Sequence, residues 1–227
     1  QWIESQKDSQ PFFAYIATNA PHGPFIAPDS YKKKFLDAGL PERTVGFYGM
    51  IENIDDNIGR LCQKIDELGI ENNTLFIFMT DNGPSASIYN GDHKGKKGSV
   101  DEGGTRVPSF WRWPGVLEPD TDVDRIANHF DILPTFADIV GGHPEQKELL
   151  HGRSLVPLLK NPTAPWEDRF RFFHKGRWKQ VRQQPRVMST LPYATSVIDW
   201  LVVMNSTTWK MIPRKKSMSS NNTHNSQ

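Results

Sequence analysis

The stretch Leu75–Pro108, LFIFMTDNGPSASIYNGDHKGKKGSVDEGGTRVP, constrains this chain more than any other. Leu75-Phe76-Ile77-Phe78-Met79 is apolar without alternation, which suits a strand covered on both faces, as in a parallel sheet flanked by helices. It runs straight into Thr80-Asp81-Asn82-Gly83-Pro84, and in such sheets ligands gather at the carboxyl ends of strands. Asp81 and Asn82 stand at that end and offer the hard oxygens that Ca²⁺ or Mg²⁺ takes. The loop that follows carries His93, Lys94, Lys96 and Lys97, and Gly103-Gly104 with Arg106 lead back to an apolar run. An acid–amide pair followed by several lysines predicts a divalent cation held beside an anionic group.

The remaining elements read as the frame around that stretch. Pro11 to Thr18 (PFFAYIAT) is a second strand, ending in the breaker-rich loop Asn19-Ala20-Pro21-His22-Gly23-Pro24. His22 follows a buried-type strand, which makes it a candidate functional residue. Residues 29–38 read as a short helix. From Thr44 to Leu68, Phe47, Ile51, Ile54, Ile58, Leu61, Ile65 and Leu68 draw one apolar stripe along a long helix that Gly69 closes. Asp55 and Asp56 lie off the stripe and read as solvated; Cys62 sits next to it and reads as inert packing. Further strands are expected at Val107–Trp111 and Trp166–His174. A helix with Asp131 as its N-cap is expected over Asp131–Val140, and a short apolar segment through Leu155–Leu159. The alternation of helix and strand is that of an α/β sheet.

Bulk properties narrow the function classes. The 227 residues carry 27 basic and 26 acidic side chains for a net charge of +1, so no global field favours nucleic acid or an anionic membrane. A single cysteine excludes an internal disulfide framework. No run of about 18 apolar residues crosses a bilayer. The start at Gln1-Trp2-Ile3, without initiator methionine or signal peptide, reads as that of a fragment.

Five motifs carry a resemblance: PFFAYIATNAPHGPF, the long helix ending in Leu-Gly, NTLFIFMTDNGP, GKKGSVDEGGTRVPSFWRWPG and NHFDILPTFADIVG. In that order and spacing, over roughly residues 10–175, they resemble the type I sulfatases of the alkaline-phosphatase-like superfamily. The resemblance implies a partial mixed or parallel sheet flanked by helices and a sulfuric ester hydrolase. It also implies that residues 1–178 form the C-terminal part of the catalytic domain, the N-terminal half being absent. Asp81 and Asn82 resemble the family's second pair of Ca²⁺ ligands, for which Mg²⁺ is the alternative. Lys97 resembles the lysine that contacts the sulfate, and His22 the histidine beside the ester oxygen. His93 lies close enough in sequence to touch substrate. Glu102, Gly103, Gly104 and Arg106 resemble a structural motif whose glycines allow a turn that side chains forbid. The implied partner is a sulfated small molecule or sulfated carbohydrate, and the implied location is periplasmic or secreted.

The departures from the family are equally specific. Its formylglycine nucleophile arises in a Cys/Ser-x-Pro/Ala-x-Arg motif, which this chain lacks, and its first metal carboxylates are missing too. The chain alone is therefore expected to release no sulfate. Two other readings stay open: a phosphate or phosphonate ester hydrolase of the same superfamily, and a non-catalytic carbohydrate- or protein-binding α/β module. From Lys179 the family pattern stops, and residues 179–227 read as a disordered or frame-shifted tail. A one-base shift of the codons from Met204 permits Glu-Leu-Tyr-Asp-Met-Glu-Asp-Asp-Pro, which resembles the family's own C-terminal segment.

Overall fold

The computed structural model describes residues 1–85, 88–144, 147–174 and 199–205. In chain order the elements are α1 (Trp2–Gln6), β1 (Phe12–Thr18), α2 (Asp29–Asp37), α3 (Glu42–Glu67), β2 (Thr74–Met79), α4 (Glu102–Thr105), β3 (Ser109–Arg112), α5 (Ile132–Ile139), α6 (Val156–Lys160) and β4 (Asp199–Asn205). They fall into two compact units. The first holds Gln1–Arg112 with the described part of Glu167–Thr207, and the second holds Trp113–Trp166.

The first unit is built on a four-stranded sheet in the order β1-β4-β2-β3. All three pairings are antiparallel, where parallel neighbours were anticipated. The reason is β4. It threads between β1 and β2 against both, so these two run in the same direction without touching. Ala17 and Met79 both face Trp200 in register, which sets the two strands level. Their carboxyl ends therefore leave by the same edge of the sheet, two strand spacings apart, or about 10 Å.

One face of the sheet packs on α3. Ile65, fully buried, joins Phe12 and Phe76 in a core ringed by Ile58, Leu61, Cys62 and Phe78. Burial of each large apolar side chain here contributes about 1.5–3 kcal/mol. The middle of the stripe is only half-buried, because Ile54, Ile58 and Leu61 line a groove of about 300 Å³ with Ile16, Thr18 and Phe78. Gly69 closes the helix at φ +67°, as its position after the last apolar residue predicts. Asp55 and Asp56 are exposed, as expected of the solvated face.

The same helix seats the loop that follows β1. An added Cβ at Gly46 would meet the carbonyl oxygen of Phe25, and one at Gly49 would lie 3.0 Å from Ala27 Cβ. Two small residues one turn apart thus let the backbone after His22 lie directly on α3. Phe25 then packs edge-on against Phe47 at 5.5 Å, with the Arg43 guanidinium 4.9 Å above its ring.

The second unit turns on a buried acid. Asp131 is fully buried, and its carboxylate accepts from the amides of Asn128 at 2.6 Å and Arg153 at 3.0 Å. Asp131 is the N-cap residue of α5, as expected, but its side chain serves the turn before it: Asn128 caps a short 3-10 turn over His129–Asp131, with Asp131 as the reciprocal partner of a capping box. The carboxylate points back to Asn128 and across to Arg153, so it does not cap α5 itself.

Two further expectations are corrected. Residues 166–174 enter none of the sheet pairings, and Phe170 and Phe172 are 83% and 95% exposed. An apolar run becomes a strand only where an edge accepts it. The tail beyond Lys179 is not structureless throughout, because Asp199–Asn205 forms β4 at the centre of the sheet. Its run Leu201-Val202-Val203-Met204 is strand-prone, and pairing on both sides satisfies the inner backbone groups of β1 and β2. The expectations for residues 180–198 and 206–227 lie outside the described residues.

Candidate active site at the strand ends

β2 stops at Met79, and the chain turns through Thr80-Asp81-Asn82-Gly83. Asn82 Nδ2 donates to the Gly83 carbonyl at 3.2 Å, which leaves Oδ1 as the open acceptor of that amide. Asp81 Oδ1 is buried and has no hydrogen-bond partner among the described residues. A buried polar atom left unpaired costs about 1–3 kcal/mol, and more if charged, so this oxygen is suited to a cation ligand. The Asp81 charge also reaches β1. Burial, and then that charge, push the Tyr15 hydroxyl above its usual pKa. Among the described residues no group of three His, Cys, Asp or Glu side chains forms a metal cluster. Asp81 and Asn82 thus fit a hard cation but supply only part of the six to eight oxygens that Ca²⁺ takes.

The lysine-bearing loop is strapped to this turn by backbone contacts. The Lys97 amide donates to the Pro84 carbonyl at 2.8 Å, and the Gly83 amide to the Gly104 carbonyl at 3.1 Å. A Cβ at Gly83 would run into the Gly103 carbonyl, and one at Gly103 into the Gly95 carbonyl and within 2.6 Å of Asn90 Nδ2. The Gly103-Gly104 pair is therefore a packing requirement, as its resemblance implies: three segments of backbone meet where a side chain would fit nowhere. Lys94 is spent on Asp101 at 3.2 Å. Lys97 is half-buried and forms no ion pair among the described residues, which leaves its charge available to an anion. Ser99 fixes the turn beside it, its hydroxyl donating to Asp101 at 2.6 Å.

Both candidate histidines are held by the same ring nitrogen. His22 is exposed and its Nδ1 lies 2.8 Å from the Gly23 carbonyl, which can only accept, so Nδ1 carries the proton and Nε2 is the free atom. His93 Nδ1 lies 3.1 Å from Glu102 Oε2, with the same consequence. Asp81, Asn82, His93 and Lys97 thus belong to one local assembly at the end of β2. His22 comes to the same sheet edge from β1. Sequence reasoning missed the link between Glu102 and His93: no spacing rule joins residues nine apart in a loop, and only the wrap around Gly103-Gly104 brings them together. Cys62 matches its reading as packing, half-buried, with burial raising its thiol pKa.

Residues 1–142 match the family model described as Sulfatase. The chain belongs to the sulfatase family. It is 31% identical over 196 residues to arylsulfatase D of Homo sapiens, covering 79% of this chain and 32% of that protein. It is 34% identical over 140 residues to steryl-sulfatase of Rattus norvegicus, covering 57% and 24%. A sulfatase of Formosa agariphila is 30% identical over 203 residues, covering 81% and 36%. Among solved structures, Ps i-CgsB in complex with k-i-k-neocarrahexaose superposes with a TM-score of 0.59 at 32% identity, over 63% of this chain and 33% of that one. The chain thus spans about a quarter to a third of the length of such relatives. No helix among its described residues is long and apolar enough to cross a membrane.

Proposed function

We propose that this chain contributes one side of a sulfuric ester hydrolase site, acting on sulfated carbohydrates. The observation that carries the reading is the strapping of Lys97, half-buried and without an ion pair among the described residues, to the turn that holds an Asp81 oxygen with no partner among those residues. Sulfate ester cleavage spreads negative charge over the sulfuryl oxygens and onto the departing alkoxide. Lys97 stabilises the first by a charge-assisted contact that strengthens as the charge grows. His22, anchored at Nδ1, presents Nε2; in its protonated form it donates to the departing oxygen. Asp81 and Asn82 would hold Ca²⁺ or Mg²⁺, which supplies further charge to the sulfate oxygens. The formylglycine nucleophile and the remaining metal carboxylates are not among this chain's residues. The carbohydrate class follows the neighbour solved with a neocarrahexaose. An exported location, periplasmic or secreted, belongs to the same reading.

The test reads the metal and the chemistry separately. Calcium at ten times its Kd should stabilise the chain by about 1.4 kcal/mol and raise Tm by about 3–6 °C. Asp81→Ala should abolish that rise. Sulfate release from p-nitrophenyl sulfate by this polypeptide should stay at background. Turnover above background, or an unchanged calcium response in Asp81→Ala, would overturn the reading.

A further inference from the structure

We infer that Glu102 is a positioning residue for His93, and that the pair reads a free hydroxyl of the substrate beside the sulfate. The inference rests on the sulfatase reading above and goes beyond it by giving one side chain a specificity role. His93 is held at two points, one on its backbone and one on its ring. Its backbone carbonyl accepts from Asn90 Nδ2 at 2.9 Å, and its Nδ1 lies 3.1 Å from Glu102 Oε2. Glu102 opens α4, whose glycines are locked against Gly95, Lys96 and Ser99, so the carboxylate has a fixed base. The Gly103 amide donates to the Lys94 carbonyl at 2.8 Å, closing the loop immediately after His93.

A carboxylate accepts only, so neutral His93 is held with its proton on Nδ1 and a lone pair on Nε2. Among the described residues Nε2 has no hydrogen-bond partner, and the ring is 27% exposed. Gly91 keeps that edge open. A Cβ there would lie 3.3 Å from both Cδ2 and Nε2, and φ of +73° favours glycine in any case. Four residues on, Lys97 presents a cation from the same loop.

The chemistry of the two groups divides the ligand. A sulfate ester carries no proton, so its oxygens need donors, which Lys97 provides. A neutral Nε2 offers a lone pair to an O–H and repels a sulfate oxygen. The pair of side chains therefore suits a sulfate flanked by a free hydroxyl, as on a sugar ring, better than a sulfate on an alcohol with no second hydroxyl. Glu102 acts through His93 and touches no substrate itself.

Two measurements on the whole chain test this. Imidazole nitrogen shifts, read at a pH where the ring is neutral, should place the His93 proton on Nδ1 in the wild type. In Glu102→Ala they should lose that preference, and Glu102→Gln, whose amide oxygen still accepts, should keep it. A wild-type ring protonated on Nε2 would overturn the positioning role. The second measurement is binding of inorganic sulfate and of galactose 4-sulfate by NMR titration. His93→Ala should weaken galactose 4-sulfate about 3–10-fold, the worth of one hydrogen bond, and leave inorganic sulfate unchanged. Lys97→Met should weaken both. Equal losses for the two probes in His93→Ala would refute hydroxyl recognition; no dependence of either probe on Lys97 would instead remove the underlying sulfate site.

Discussion

Gly83→Ala is the sharpest perturbation available, because its cost is set by backbone rather than by movable side chains. The new Cβ would collide with the Gly103 carbonyl oxygen, with the Gly103 carbonyl carbon at 2.8 Å and Gly104 Cα at 3.1 Å. None of these atoms can rotate away, so the turn after β2 must separate from α4. Overpacking of this kind costs about 1–3 kcal/mol. Separation also breaks the Gly83–Gly104 hydrogen bond and strains the Lys97–Pro84 bond, each worth about 1 kcal/mol net. The expected loss is about 2–4 kcal/mol. Gly98→Ala is the control: φ is +80° but nothing lies within 4 Å of an added Cβ, so it should lose only the left-handed backbone cost of about 1–2 kcal/mol. Urea denaturation gives both values, and amide exchange gives the location. Protection of the Lys97 amide should fall in Gly83→Ala and persist in Gly98→Ala. A Gly83→Ala protein within about 0.5 kcal/mol of wild type, with Lys97 still protected, would refute the strapping.

Asp101 and Asp131 give two further expectations. The Ser99 hydroxyl, and then the Lys94 contact, hold the Asp101 carboxyl below its ordinary value of 3.8. A depressed carboxyl stabilises the fold above that value, and the gain is lost as pH falls through the lower folded pKa. The urea midpoint of Ser99→Ala should therefore lie below wild type at pH 6 and approach it below about pH 3.8; a gap that persists in acid would contradict the assignment. Asp131→Ala leaves the Asn128 and Arg153 amides unpaired at a fully buried site, for a loss of about 2–5 kcal/mol by urea denaturation. A loss under about 1 kcal/mol would mean that water replaces the carboxylate.

Local pattern carried much of this protein. The period of Phe47 to Leu68 and the closing Gly69 specify α3 because a helix buries one stripe whatever it packs against. The run Leu75–Met79 specifies β2 because unbroken apolarity needs cover on both faces. Asp81 and Asn82 stand out as candidates because they follow directly on that strand, and Lys97 because it lies in the lysine-bearing loop after it. By contrast, residues 166–174 look like a strand in isolation and enter no pairing, while Asp199–Asn205, set in an unpromising tail, became the central one. Strand pairing is non-local, so the pattern within a segment states its willingness to pair and not its partner.

The sequence by itself determined the family, the helix and strand that frame the site, and the residue types at the strand end. Tertiary structure decided three things. β4 between β1 and β2 makes those strands co-directional, which brings His22 and Asp81 to one edge. Closure of the loop on Gly103-Gly104 pins Lys97 to Pro84. The same closure gives His93 its carboxylate partner. Each depends on contacts between segments far apart or folded back in the chain, and periodicity within a segment carries no information about them.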